Sequence, residues 1–124
     1  MSPRSEEFLS SAQERVRAAR ASLHAGFPSS AVSAAYYAML YAARAALSEE
    51  ERNAKTHRGV WSLFSEVFVA SDRFERELFA AAQRAQDLRE AADYEAVTIS
   101  AEQAGGVLAE ADRFVSAIAS MLTV

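Results

Sequence analysis

Three short stretches of the chain combine phenols, guanidiniums and an imidazole at helical spacing. In the first, Ser33, Tyr37, Tyr41 and Arg44 follow one another at steps of four, four and three residues. On a helix those steps put three hydroxyls and a guanidinium on one stripe. The stripe either packs tyrosines at a helix interface, with the phenols satisfied locally, or lines a polar groove facing a partner or a nucleotide. The second stretch is Arg89-Glu90-Ala91-Ala92-Asp93-Tyr94. Arg89 and Asp93 lie one turn apart and can pair; in a cleft the guanidinium would hold a phosphate, while Tyr94 stacks or donates a hydrogen bond. The third is Lys55-Thr56-His57-Arg58. Cations beside the free amides of a helix start make an anion site, or simply a capped loop with solvated charges. His57 is the better proton carrier of the two histidines. His24, near the end of a helix, suits the negative end of the dipole and needs no further role.

Other chemistries lack their residues. With two histidines, no cysteine and no Glu-x-x-His pair, the chain shows no zinc or di-iron site, and neither metal nor cofactor is expected. Gly105-Gly106 lacks the lysine and spacing of a phosphate loop. No nucleophile elbow or Ser-His-Asp set is present. The absence of cysteine also excludes disulfides and thiolate chemistry, and suits a reducing compartment. A net charge of −4 and a pI near 5.2 argue against an extended duplex-binding face, though a local basic pocket is compatible with them. No apolar run approaches the roughly 18 residues of a membrane span. The start of the chain turns acidic at Glu6-Glu7, unlike a signal peptide. A cytoplasmic protein with no membrane association is expected.

The elements that position these residues are helices. Alanine is abundant, glycine and proline are few, and β-branched runs are missing. Leu9, Ala12, Val16, Ala19 and Leu23 form one helical stripe, ended by Gly26, and Pro28 suits the next first turn. Val32, Tyr36, Met39, Ala43 and Leu47 mark the buried face of a second helix, which ends in the charged segment Ser48–Asn53. Thr56 caps a third, with Val60, Phe64, Val67 and Phe68 inward. Asp72 is expected near the start of a fourth, which buries Leu78, Ala81, Ala85, Leu88 and Ala92. A fifth carries Ala104, Leu108, Ala111, Val115, Ile118 and Leu122, with Gly105-Gly106 marking a close helix contact or a kink. The 124 residues fit one domain: an all-α, five-helix up-and-down bundle, with two long antiparallel helices joined by a short connection.

Together the motifs resemble those of HEPN domains (higher eukaryotes and prokaryotes nucleotide-binding). Ala31 to Leu40 with Tyr36-Tyr37, followed by Ala43-Arg44-Ala45-Ala46-Leu47, is similar to the family's second helix. Lys55-Thr56-His57-Arg58-Gly59-Val60, with Phe64 and Phe68-Val69, resembles the next helix in one bacterial and archaeal branch. Arg89-x-x-x-Asp93-Tyr94 resembles that branch's closing motif, and the likeness runs over roughly residues 8–120.

The resemblance implies a helical bundle that commonly forms a homodimer and is often encoded beside a minimal nucleotidyltransferase. Several members are toxins that cut RNA without metal, using an Arg followed four to six residues later by His, shared across the dimer. Here Arg89 takes the Arg position and Tyr94 stands where the histidine belongs; no histidine follows. A phenol, with a reference pKa near 10, is a poor base. The expectation is therefore a non-enzymatic or degenerate HEPN protein, the helical component of a toxin–antitoxin-like pair. It would bind nucleotide or RNA in a groove formed by Tyr37, Arg44, His57, Arg89, Asp93 and Tyr94, with Tyr41 and Lys55 as further ligand-binding candidates and Tyr94 also a candidate for nucleotidyl modification. One alternative is a metal-independent endoribonuclease using Arg89 with His57 or Asp93. The other is a purely structural dimeric bundle.

Overall fold

A helix apolar on nearly every face has to sit in the middle, and the second helix is of that kind. In the computed structural model, which describes residues 1–123, five helices follow one another. They are α1 (Pro3–His24), α2 (Pro28–Glu49), α3 (His57–Phe64), α4 (Arg76–Tyr94) and α5 (Ala101–Leu122). The architecture is all-helical, as the periodicity implies. Residues on all sides of α2 are buried, from Ala31 and Val32 to Ala46 and Leu47, and it packs against each of the other four helices. Its alanines hold the neighbouring axes close, and Tyr36, Met39 and Leu40 fill the gaps between them.

Local signals fix where each helix starts and stops. Ser2 caps α1, its hydroxyl accepting from the Ser5 amide at 3.1 Å, with Pro3 in the first turn. At the other end Gly26 takes φ +90, which lets Gly26 and Phe27 donate back to the carbonyls of Leu23 and Ser22. This turn reverses the chain into α2 within three residues. Thr56 caps α3 through the Gly59 amide at 2.9 Å, as expected. Ser100 and Gln103 form a reciprocal capping box at the start of α5.

Three expectations are corrected. Four helices are long rather than two, at 22, 22, 19 and 22 residues, and only α3 is short. Asp72 does not start α4. α3 runs on through a widened turn, Ser65–Val69, closed by the Ala70 amide on the Ser65 carbonyl, and Asp72 then adopts φ 60 beyond its end. Phe74 drops into the core before Glu75 begins α4. Finally, Gly105 and Gly106 mark neither a tight contact nor a break. A Cβ on Gly105 would lie 3.9 Å from Leu23, one on Gly106 would meet nothing, and α5 continues through both.

The expected buried faces otherwise hold. Leu9, Ala12, Val16 and Ala19 of α1, Leu78, Ala81 and Ala85 of α4, and Ala104, Leu108, Ala111, Val115 and Ile118 of α5 all point inward. One end of the bundle is filled by Trp61, Phe64, Phe68, Phe74, Phe79 and Phe114, with ring centroids 4.7 to 6.3 Å apart. Each fully buried ring contributes roughly 1.5–3 kcal/mol. Among the described residues no helix is long and apolar enough to cross a membrane.

Because nothing crowds Gly106, Gly106→Ala should stabilise the fold by up to about 1 kcal/mol through helix propensity. Gly26→Ala should destabilise it by a similar amount, because its φ is positive. Urea unfolding of the two variants reads both signs.

Candidate functional site

The site is built around a phenol buried in the middle of α2. Tyr36 is fully buried, so its hydroxyl needs partners, and two residues of α3 supply them. Trp61 Nε1 donates to Tyr36 Oη at 3.1 Å, and His57 Nδ1 lies 3.2 Å from the same oxygen. An indole N–H can only donate, so Tyr36 accepts from Trp61, and His57 Nδ1 is the side-chain acceptor within reach of the phenol's own proton. When the phenol donates there, the neutral imidazole carries its hydrogen at Nε2. Burial pushes the Tyr36 phenol pKa up, and the Trp61 hydrogen bond only partly offsets the shift.

α4 brings Arg89 over this pair. Its guanidinium carbon lies 5.1 Å from the Tyr36 ring centroid and 5.6 Å from that of Tyr37. Tyr37 in turn meets the His57 ring edge-on at 5.6 Å. Arg89 is 13% exposed at its side chain, pairs with Asp93 at 3.1 Å and reaches Glu90 at 3.9 Å. Its Nε is buried without a protein partner among the described residues. The imidazole and the guanidinium, 32 residues apart in sequence, thus share the same two tyrosine rings.

The charges around His57 set its titration. Burial disfavours its cationic form first, then the positive charges of Arg89 and Arg44 do so; Glu90 opposes them, and the net result is a lowered pKa. His57 is therefore neutral near pH 7, with one nitrogen tied to Tyr36 and Nε2 as the other. A neutral imidazole beside a guanidinium is an arrangement that can accept a proton while a phosphate is held.

The remaining residues of the three sequence stretches are dispersed. Tyr41 does not join Arg89: α1 covers it, with Arg15 4.3 Å over its ring and Phe8 at 6.0 Å. Arg44 donates to the Ala54 carbonyl at 3.0 Å. Tyr37 and Arg44 are separated by seven residues, about 10 Å along the helix axis, which is why one stripe serves different neighbours. Lys55 is exposed in the loop before the Thr56 cap. Asp93 is half-exposed and engaged by Arg89. Tyr94 is 82% exposed at the last turn of α4. Among the described residues no group of three His, Cys, Asp or Glu side chains is placed to hold a metal ion.

Sequence reasoning missed Tyr36 as a polar centre, because it fell on the apolar stripe, and Trp61 altogether. The available signal was that a buried tyrosine and a buried tryptophan each need a polar partner. A groove between α3 and α4 was likewise unforeseen. It is lined by Trp61, Ser62, Gln83, Gln86 and Glu90, and Gln83 Nε2 is buried without a protein partner among the described residues.

An all-helical bundle that gathers an arginine, paired tyrosines and a histidine at the junction of its second, third and fourth helices defines the class. The HEPN domain profile matches residues 5–121, and the chain belongs to that family. Two relatives from Methanocaldococcus jannaschii carry the name "putative toxin". One is 33% identical over 100 residues, covering 80% of this chain and 68% of the relative. The other is 30% identical over 117 residues, covering 94% and 87%. A UPF0332 protein of Gloeobacter violaceus is 31% identical over 116 residues, covering 92% of each.

Protonating His57 would set a cation against Arg89 and Arg44. Above the unfolded-state pKa, about 6.5, His57 is neutral in both states; below it the unfolded chain takes up the proton first, so folding weakens as pH falls. Melting temperatures between about pH 7.5 and 5.5 should therefore fall more steeply in the wild type than in His57→Gln. Parallel curves would mean that the imidazole is not held neutral.

Proposed function

We propose that the protein is the HEPN component of a toxin–antitoxin-like pair, binding RNA or a nucleotide phosphate at Arg89, His57 and Tyr37. The observation that carries this reading is the convergence of the Arg89 guanidinium and the His57 imidazole on Tyr36 and Tyr37. Guanidinium recognises phosphate through paired N–H donors, and the tyrosine beside it offers a face for a base. The "putative toxin" names of two relatives support a toxin-like role. A homodimer and a nucleotidyltransferase partner belong to the same reading.

A second reading, metal-independent RNA cleavage, is favoured by the position of His57. The missing downstream histidine leaves the family's usual proton carrier absent, yet α3 supplies an imidazole to the same arginine. Neutral His57 would take the proton of a ribose 2′-hydroxyl as that oxygen attacks the adjacent phosphorus. Arg89 would stabilise the charge gathering on the phosphoryl oxygens. The bond to the 5′ oxygen breaks, that oxygen takes a proton from solvent, and a 2′,3′-cyclic phosphate remains.

Purified protein, Arg89→Ala and His57→Ala, each incubated with labelled single-stranded RNA in EDTA, separate these readings. Binding lost in Arg89→Ala, without cleavage by any of the three, is the outcome expected of a binding component. Cleavage by the wild type, reduced at least about a hundredfold in either variant, establishes the enzyme, since a general base contributes about 10²–10⁴. Equal RNA retention by wild type and Arg89→Ala overturns both.

The exposed Tyr94 phenol would also accept a nucleotidyl group. Its oxygen would attack the α-phosphate of a nucleoside triphosphate and release pyrophosphate on the transferase partner. Intact mass after incubation with the neighbouring transferase and ATP should rise by one nucleotidyl group and stay unchanged in Tyr94→Phe. An unmodified wild type removes that role.

A further inference from the structure

Arg44, expected to share a groove with Arg89, instead lines a cavity on the other side of the α3 start. The cavity, about 230 Å³, lies between the first turns of α1, the last turns of α2 and the loop before α3. Leu47, Val60 and the partly buried Phe8 give it an apolar wall, while Arg4, Arg44 and Arg52 supply guanidiniums. Glu51 is the one carboxylate among its lining residues. Among the described residues none of the three arginines is in an ion pair: Arg4 lies over the Phe8 ring at 5.0 Å and Arg44 donates to a backbone carbonyl. By contrast, the grooves along α3/α4 and α4/α5 each hold more carboxylates than cations.

Three like charges around an apolar hollow repel one another until an anion joins them. Arg44 links this cavity to the Arg89 cluster: it lines the cavity, and its charge, like that of Arg89, acts on His57. Ala54 and Val60 line the cavity, and His57 between them in sequence meets Tyr36 and Tyr37. The hollow is concave and apolar-walled, so it admits a single unstacked base rather than the edge of a duplex. A protein of net charge −4 offers no broad basic face for a duplex either.

We propose that this cavity is a second subsite for single-stranded RNA, seating the nucleotide next to the one whose phosphate lies at Arg89. The base packs on Phe8, and its phosphate is held by Arg4 and Arg52, with Arg44 between the two subsites. This rests on the RNA-binding reading of the Arg89 cluster and names the form of nucleic acid that cluster takes.

The test uses a fluorescein-labelled, 2′-O-methylated RNA of about eight nucleotides, followed by anisotropy against wild type, Arg89→Ala and the double variant Arg4→Ala/Arg52→Ala. The methyl groups remove the attacking hydroxyl, so the probe survives any cleavage activity. Arg4 and Arg52 are exposed, and a thermal melt of the double variant confirms that it folds. Affinity should fall at least tenfold in the double variant, and the salt slope should shrink by about 0.7 for each phosphate that the protein no longer neutralises. Affinity should also fall in Arg89→Ala. Unchanged binding in the double variant with weakened binding in Arg89→Ala overturns the cavity subsite and leaves the Arg89 reading standing. No binding by wild type, or undiminished binding by Arg89→Ala, overturns that reading and this one with it. A duplex of the same length binding as tightly as the single strand overturns the single-strand assignment.

Discussion

A phenol placed at the centre of an alanine-packed helix must be hydrogen-bonded, and much of the candidate site follows from that need. Tyr36 is enclosed on every side, and a buried hydroxyl without a partner costs roughly 1–3 kcal/mol. Trp61 and His57, one turn apart on α3, meet the need together and so fix the position of the short helix against α2. The same contacts orient the imidazole. Structural demand and chemical poise are one arrangement here.

Arg89 adds charge to that arrangement. A guanidinium stacked on two tyrosine rings keeps little hydration, and Asp93 at the rim balances only part of its charge. Asp93 is half-exposed, so an incoming phosphate can compete with it for the guanidinium. Burial first, and then the positive charges of Arg89 and Arg44, keep His57 neutral. A neighbour that raised the imidazole pKa above the ambient pH would leave it already protonated, with no free nitrogen to take a proton.

The bundle accommodates this polar centre within its apolar packing, since Tyr36 and Trp61 are both part of the main core. Trp61 joins Tyr36 to the phenylalanine cluster that closes one end of the molecule, and Ile99, Ala31, Val32 and Ala104 form a separate small core near the α4–α5 connection. The turn at Gly26 and the cap at Thr56 set where α2 and α3, two of the three helices at the Tyr36 cluster, begin.

The sequence by itself determined the helices, most of their buried faces, the caps at Thr56 and Gly26, and the HEPN family. These follow from interactions within four residues or from a periodic stripe, and both are written in local order. It also singled out Arg89, His57 and Tyr37 as chemistry-bearing. What it did not contain was their assembly. The helical stripe made Tyr41 and Arg44 equal partners of Tyr37, whereas α1 covers Tyr41 and a cavity claims Arg44, because they lie about 6 Å and about 10 Å further along the axis and meet different neighbours. Tyr36 read as plain core and Trp61 was not singled out; the need of each for a polar partner was legible, but a hydrogen bond between residues 25 apart leaves no local trace of which partner meets it. Only the packing of α3 and α4 against α2 decided which side chains share a site.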